Sequence, residues 1–174
     1  MNKLFLLFVV LMAIVVTASN ILVQYPINDW LTWGAMTYPV AFLITDLTNR
    51  TQGPEIARRV VTVGFVAAVV MSIVLATPRI ALASGTAFLV AQLLDVYVFN
   101  RLRDRIWWLP PLVSSTFGSV VDTALFFSLA FAATGLPWVT WAIGDLGVKM
   151  AVALVMLIPF RIAYVKWRAA AFAG

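Results

Sequence analysis

Two aspartates lie inside apolar stretches of the sequence, in segments of similar pattern: a polar residue, two apolar residues, the aspartate and, four positions later, a phenylalanine. Asp95 occurs in Gln92–Phe99 (QLLDVYVF), and Asp122 occurs in Ser119–Phe126 (SVVDTALF). A carboxyl group in the hydrocarbon of a membrane costs about 2.5 to 3.5 kcal/mol or more unless it meets a polar cavity or a partner. Such residues mark sites that handle a substrate, an ion or a proton. We therefore expect a polar site in the core of a membrane protein.

The composition agrees with a membrane location. The 174-residue chain is 63% hydrophobic and 11% charged, with a mean hydropathy of +1.00, and a soluble domain of this size could not bury so much apolar surface. The chain has no cysteine and no histidine. Disulfides, thiolate nucleophiles, the usual zinc sites and Ser-His catalytic pairs are therefore excluded. We expect neither an enzyme nor a cofactor or metal site.

The apolar segments predict an all-α integral membrane protein, with residues 1–174 forming a single domain of six transmembrane helices. Each segment is close to the length of about 20 residues that spans a bilayer, and prolines and glycines separate them. Pro39 and Pro159 fall inside spans, where packing kinks are expected. The predicted spans are Leu4–Val23, Trp33–Asn49, Val60–Thr77, Ile80–Phe99, Leu112–Thr134 and Trp141–Tyr164.

The basic residues predict the orientation. Ten of the 12 Lys and Arg lie before the first span, between spans two and three, between spans four and five, or in the last turn of the sixth span and after it. The other two are Arg79 and Lys149. Because positive charge favours the cytoplasmic side, both termini are expected in the cytoplasm and the protein in the inner membrane. The pI of about 10.1 therefore reflects topology, and no nucleic-acid partner is expected. Lys3 and Leu4–Val16 would also fit a cleavable signal peptide, but the apolar stretch resumes at Ile21.

Helical geometry places the polar residues on shared faces. At 3.6 residues per turn, Asp95 shares a stripe with Ser84, Phe88, Gln92 and Phe99, and Asp122 shares one with Ser115, Ser119 and Phe126. For the serines, close helix packing is an equally good explanation.

The rise of a helix also predicts the depth of these groups. At about 1.5 Å per residue, Asp122 lies roughly 16 Å above Pro111, and Lys149 lies roughly 18 Å above Arg161, so the two can meet near the midplane. They would either line one cavity or form an ion pair that fixes helix register. Asp46 and Asp95 should lie nearer the cytoplasmic end, as substrate, gate or interface residues.

Several motifs resemble one family, the queuosine precursor transporters of the vitamin-uptake-like type. The resemblance lies in Thr37–Thr48 with Gly53, in Ala83–Phe99, in Ser114–Phe126, and in single residues of the first and last spans, Asn20, Lys149 and Pro159. The central QLLDVYVF segment is the most specific. In that family a Glu-x-Tyr-Gly motif often follows the second helix. This sequence differs there, because Arg50 and Gln52 occupy the positions of the Glu and the Tyr.

The resemblance implies import of 7-deazaguanine bases, such as 7-cyano-7-deazaguanine and 7-aminomethyl-7-deazaguanine, for queuosine synthesis in tRNA. A guanine-like edge offers adjacent N–H donors that one carboxylate can accept as a pair, and Asp122 is the candidate. Amide or ammonium groups could bind the ring carbonyl, and aromatic rings could stack on the heterocycle. The candidate substrate-binding residues are Asn20, Asp46, Phe88, Gln92, Asp95, Phe99, Ser119, Asp122, Phe126 and Lys149.

The sequence is also compatible with three other classes of membrane protein. A substrate-binding subunit of an energy-coupling-factor vitamin importer would have about six helices, bind the same cargo and need separate ATPase partners. An intramembrane aspartyl protease would use two membrane aspartates, but Ala142–Asp145 lacks the first glycine of its Gly-x-Gly-Asp motif. A structural membrane subunit would use its buried acids only for assembly. The expected partners are a small deazapurine and the lipid bilayer, and the chain could act as a monomer or a homo-oligomer.

Overall fold

Prolines and one glycine set most of the helix boundaries. Pro39, Pro54 and Pro78 each occupy the first position of a helix, where the missing N–H costs no hydrogen bond. The Thr77 hydroxyl accepts a hydrogen bond from the backbone N–H of Ile80 at 3.3 Å, as an N-cap does. Gly53 ends a helix with φ 90°, a conformation that glycine adopts without steric cost.

The computed structural model describes residues 3–75 and 77–172, and in them seven helices and two short strands. The elements in chain order are α1 Lys3–Leu22, β1 Pro26–Asn28, β2 Leu31–Thr32, α2 Gly34–Thr37, α3 Pro39–Gln52, α4 Pro54–Leu75, α5 Pro78–Leu102, α6 Leu109–Phe131 and α7 Trp138–Phe172. Strands β1 and β2 form an antiparallel hairpin, in which Pro26 pairs with Thr32 and Asn28 with Leu31.

Four helices among the described residues are long and apolar enough to cross a membrane: Lys3–Leu22, Pro78–Leu102, Leu109–Phe131 and Trp138–Ala169. Their outward faces are apolar. Ile14 of α1, Leu82 of α5 and Ile158 of α7 are 59%, 71% and 64% exposed, which suits contact with lipid. The chain is therefore a multi-pass, all-α membrane protein with one small hairpin.

The second predicted span, Trp33–Asn49, differs from the structure. It is divided at Tyr38 into the four-residue α2 and the 14-residue α3, which begins at Pro39. Because proline has no N–H and its ring clashes with the preceding turn, a helix restarts there more readily than it continues. Pro159, by contrast, lies inside α7. The third predicted span includes Ala76, which lies outside the described residues, and its helix starts at Pro54.

The packing brings α3, α5, α6 and α7 together around the polar residues. Helix α5 lies along α6, and α3 contacts α5, α6 and α7. The approach of α6 to α3 is close at Gly118, where a Cβ would lie 2.5 Å from the Phe42 ring and 3.3 Å from the Ala91 carbonyl oxygen. Any larger residue at Gly118 would force these helices apart. We call the end of the bundle near β1 and β2 the hairpin side, and the end near Gly53 and residues 103–108 the basic side.

Candidate functional site

A buried ion network joins α6 and α7. The Lys149 ammonium of α7 lies 2.8 Å from Asp122 Oδ2 of α6 and 2.5 Å from Asp145 Oδ2, one helical turn earlier on α7. Lys149 also donates to the Thr123 hydroxyl at 3.0 Å, and Thr123 donates to Asp145 Oδ2 at 2.8 Å. The predicted proximity of Asp122 and Lys149 is thus confirmed. The network holds two carboxyl groups for one ammonium.

Tyr38 completes this network from the break between α2 and α3. Its hydroxyl donates to Asp122 Oδ1 at 2.7 Å, and its ring centroid lies 4.9 Å from the Lys149 nitrogen. A cation over an aromatic face is attracted electrostatically. Lys149 is only 2% exposed, and removing such an ion from water is favourable only when close partners replace the lost hydration. Tyr38, Asp122 and Asp145 supply that replacement.

The ion network borders a small, partly open cavity on the hairpin side, which we call the hairpin-side cavity. One wall carries an Asn20 carboxamide oxygen that accepts from the Ser84 hydroxyl at 2.6 Å. The lining residues are Ser19, Asn20, Val23, Gly34, Tyr38, Ser84, Asp122, Phe126, Asp145 and Lys149.

A second small, partly open cavity lies toward the basic side, and we call it the basic-side cavity. Lys149 belongs to the lining of both cavities, so its side chain stands where the two approach each other. The lining residues are Pro39, Phe42, Leu43, Asp46, Pro111, Ser115, Ser119, Lys149, Ala153, Met156, Leu157 and Phe160.

Asp46 and Asp95 form a separate buried group on the basic side. Asp46 accepts hydrogen bonds from the hydroxyls of Ser114 at 3.2 Å and Ser115 at 3.1 Å. The Asp95 carboxyl neighbours the Asp46 carboxyl. On the same face of α5, Gln92 Oε1 accepts from the Thr45 hydroxyl at 2.5 Å.

The structure divides the ten predicted site residues into three groups. Asn20, Asp122, Phe126 and Lys149 line the hairpin-side cavity, and Asp46, Ser119 and again Lys149 line the basic-side cavity. The others line neither cavity and lie in packed surroundings: Phe88, Gln92, Asp95 and Phe99.

The two phenylalanines of the third group pack against other aromatic rings. Phe88 contacts the rings of Tyr38 and Phe65, with centroids 6.5 and 6.4 Å apart, and Phe99 contacts Phe160 at 6.2 Å. Neither ring lines a cavity, so a role for Phe88 or Phe99 in binding a substrate stays a prediction.

Sequence reasoning missed three members of the ion network, Tyr38, Thr123 and Asp145. The sequence did contain a signal for Asp145, because residues four apart on a helix lie on the same face, and Asp145 and Lys149 have that spacing. Tyr38 and Thr123 lay inside the family-like segments, but nothing in their type or spacing pointed to the lysine. Among the described residues, no group of three or more His, Cys, Asp or Glu is arranged to hold a metal ion.

Comparison with known proteins gives consistent matches. A family model described as "Putative vitamin uptake transporter" matches residues 32–77 and 72–164. The queuosine precursor transporter of Escherichia coli (strain K12) is 37% identical over 175 residues, covering 84% of this chain and 79% of that protein. The "Probable queuosine precursor transporter" of Haemophilus influenzae is 36% identical over 186 residues, covering 83% and 79%. That of Bacillus subtilis (strain 168) is 30% identical over 156 residues, covering 72% and 68%. No solved structure matches this chain.

Proposed function

This chain belongs to the vitamin uptake transporter family that includes the queuosine precursor transporters, and we propose that it imports queuosine precursors across the inner membrane. The cargo is a 7-deazaguanine base, either 7-cyano-7-deazaguanine or 7-aminomethyl-7-deazaguanine. The protein moves this base without chemical change, as a transporter rather than an enzyme.

The composition of the hairpin-side cavity is the observation that best supports a small polar cargo. Asp122, Asp145 and Lys149 all line it, with the Lys149 ammonium within hydrogen-bonding distance of both carboxyl groups. Buried charges that only fix helix register would be served by close packing on all sides. Here the charged groups line a partly open cavity. Small-molecule sites combine such a space with a few polar groups of fixed position.

The donors and acceptors of this cavity suit a guanine-like edge. Asp122 accepts the adjacent ring N–H and exocyclic NH₂ of the base, because a carboxylate has lone pairs on two oxygens for a paired contact. Lys149 donates to the ring carbonyl, as Asn20 could through its amide. Phe126 provides the apolar face on which the flat ring stacks.

The second cavity suggests how the base is released. In the proposed arrangement the six helices α1 and α3 to α7 all cross the membrane, with both termini and the basic side in the cytoplasm. The hairpin-side cavity then receives the base from outside, and the basic-side cavity delivers it inside. Since Lys149 lines both, it stays within reach of the base as the bundle changes which cavity is open.

The experiment that tests this proposal uses a bacterial strain that cannot make the precursor, lacks its own importer and is given a low external concentration of the base. Expression of this chain alone should restore queuosine in tRNA, and Asp122→Asn should not. Asp29→Asn is the matched control, because Asp29 is exposed beside the hairpin and its substitution should leave rescue unchanged.

Two results would change the conclusion. If the well-folded wild-type chain failed to restore queuosine, import of this cargo would be wrong. If rescue required added ATPase partners, the chain would instead be the substrate-binding subunit of an energy-coupling-factor importer.

A further inference from the structure

The Asp46 and Asp95 carboxyl groups are buried without a cationic partner. Asp46 is 3% exposed and Asp95 is 0% exposed. Neither forms an ion pair with a Lys or Arg among residues 3–75 and 77–172, and neither Asp95 oxygen has a hydrogen bond in that part of the chain. The amide nitrogen of Gln92, one turn before Asp95, is likewise buried without a hydrogen-bond partner there. Within the described residues, the pair therefore lacks the cation that a structural ion pair would require.

Two cations on the adjoining helices have other partners. Lys149 lines the same cavity as Asp46, but its ammonium is held by Asp122 and Asp145. Arg50, one helical turn after Asp46, donates to the Arg103 carbonyl oxygen at 2.8 Å and lies over the Tyr164 ring at 4.6 Å. From α6, the groups that face Asp46 are the neutral hydroxyls of Ser114 and Ser115.

Ionisation of both carboxyl groups at once is disfavoured in such surroundings. Burial disfavours the charged form of each, and the negative charge of one disfavours ionisation of the other. Aspartic proteases give a precedent, because two close carboxyl groups there share one proton. We propose that the Asp46–Asp95 pair binds and releases a proton during transport, so that one proton enters the cell with each base. This inference rests on the proposed function and adds its driving force.

Lys149 supplies the physical link between the proton and the base. It lines both cavities, and it is the cation between two sets of buried acids: Asp122 with Asp145, and Asp46 with Asp95. When the pair loses its proton toward the cytoplasm, the new negative charge attracts Lys149 and draws its ammonium away from the ring carbonyl of the base, which favours release of the base. By reciprocity, a base bound at Asp122 makes proton binding at the pair more favourable. The proton step makes and breaks only the O–H bond of a carboxyl group, and the base itself is not changed.

The test uses purified protein in liposomes with labelled 7-cyano-7-deazaguanine, a neutral base, and with the membrane potential clamped by valinomycin and potassium. A gradient of one pH unit, alkaline inside, should drive the wild type to about tenfold accumulation if one proton moves with each base. In lightly buffered liposomes without a pH gradient, an inward gradient of the base should itself acidify the lumen, as reported by a trapped pH dye.

The variant Asp95→Asn separates coupling from binding. Asp95 lines neither cavity, so this variant should still exchange the base across the membrane, yet fail to accumulate it in the pH gradient. Asp104→Asn is the matched control, because Asp104 is exposed on the basic side, and it should accumulate the base normally. Asp95→Glu restores a titratable group and should recover part of the accumulation.

The outcomes are distinguishable. A wild type that exchanges the base but shows neither accumulation in the pH gradient nor acidification would overturn the proton inference and leave the proposed function standing. Normal accumulation by Asp95→Asn would overturn the assignment to this pair. A wild type that neither binds nor exchanges the base would overturn the proposed function and this inference together. Because accumulation and acidification are measured on the wild type, the inference stays testable even if Asp95→Asn fails to fold.

Discussion

The Tyr38 hydroxyl donates to Asp122 Oδ1 at 2.7 Å, across the contact between the α2–α3 break and the middle of α6. The same tyrosine ring lies 4.9 Å from the Lys149 nitrogen. Tyr38 therefore touches both members of the central ion pair while lining the hairpin-side cavity. The helix break that places it there is consequently part of the site.

The substitution Tyr38→Phe tests this relationship. It removes one hydrogen bond to a buried charged group, which contributes about 1.5 to 3 kcal/mol, but it keeps the ring beside Lys149. We expect the free energy of unfolding to fall by about that amount and the affinity for the base to weaken, as measured by thermal unfolding in detergent and by ligand binding. Tyr97→Phe is the control: Tyr97 is 51% exposed, and its loss of a surface hydroxyl should change stability by less than about 0.5 kcal/mol.

Asp122 and Lys149 are expected to act as a unit in ligand binding. Asp122→Asn and Lys149→Met should each lower the affinity for the base, and the double variant should lose much less than the sum of the two. Contacting residues of this kind show coupling energies of about 0.5 to 3 kcal/mol. Binding isotherms on the four proteins of the cycle measure the coupling. Strict additivity, or normal affinity in either single variant, would remove the pair from a shared binding site.

The sequence was sufficient to predict the contact between Asp122 and Lys149 because both depths follow from one constant, the rise of an α-helix. It also predicted the apolar segments, since their length and hydropathy are local properties. The hairpin could not be predicted in the same way. Its strands have three and two residues, which is too short for an alternating pattern to be detected.

The position of Tyr38 depended on tertiary packing. Pro39 weakens the helix at this point, but it is compatible both with a kinked helix over 33–49 and with two helices that meet at residue 38. The division into two cavities likewise depends on how α3 and α7 pack against α6. The sequence grouped Phe88 and Phe99 with the polar residues of α5 because they share its stripe, but a helix face can contact several neighbours, and these two rings face aromatic clusters.

The charge balance of the ion network predicts unequal effects on stability. Lys149→Met leaves the two carboxyl groups of Asp122 and Asp145 without their cation, and removing one partner of a buried ion pair costs about 3 to 5 kcal/mol. Asp145→Asn instead leaves one carboxylate with one ammonium. We expect Asp145→Asn to retain most of the folded stability and to weaken base binding. Thermal unfolding of both variants in detergent measures the difference, and equal destabilisation would contradict this account.

The proposed orientation predicts where the connections lie. A reporter that is active only in the cytoplasm should be active when fused after Gly174, a residue outside the described part of the chain, and inactive when inserted in residues 26–30. A periplasm-specific reporter should give the opposite pattern. The physical reason is the concentration of Lys and Arg on the basic side. A periplasmic carboxyl terminus would contradict the arrangement with six spans and both termini inside.

Selection of the cargo by its guanine-like edge makes a quantitative prediction for analogues. If Asp122 accepts both the ring N–H and the exocyclic amine, an analogue without the amine leaves a desolvated carboxylate partly unpaired. Leaving such a group unsatisfied costs about 1 to 3 kcal/mol, so binding should weaken more than tenfold at the middle of that range. In Asp122→Asn, the base and the analogue should differ much less, because the acceptor pair is gone from both complexes. Competition binding of the two compounds to each protein measures this. An analogue that binds the wild type as tightly as the base would place the edge of the heterocycle away from Asp122.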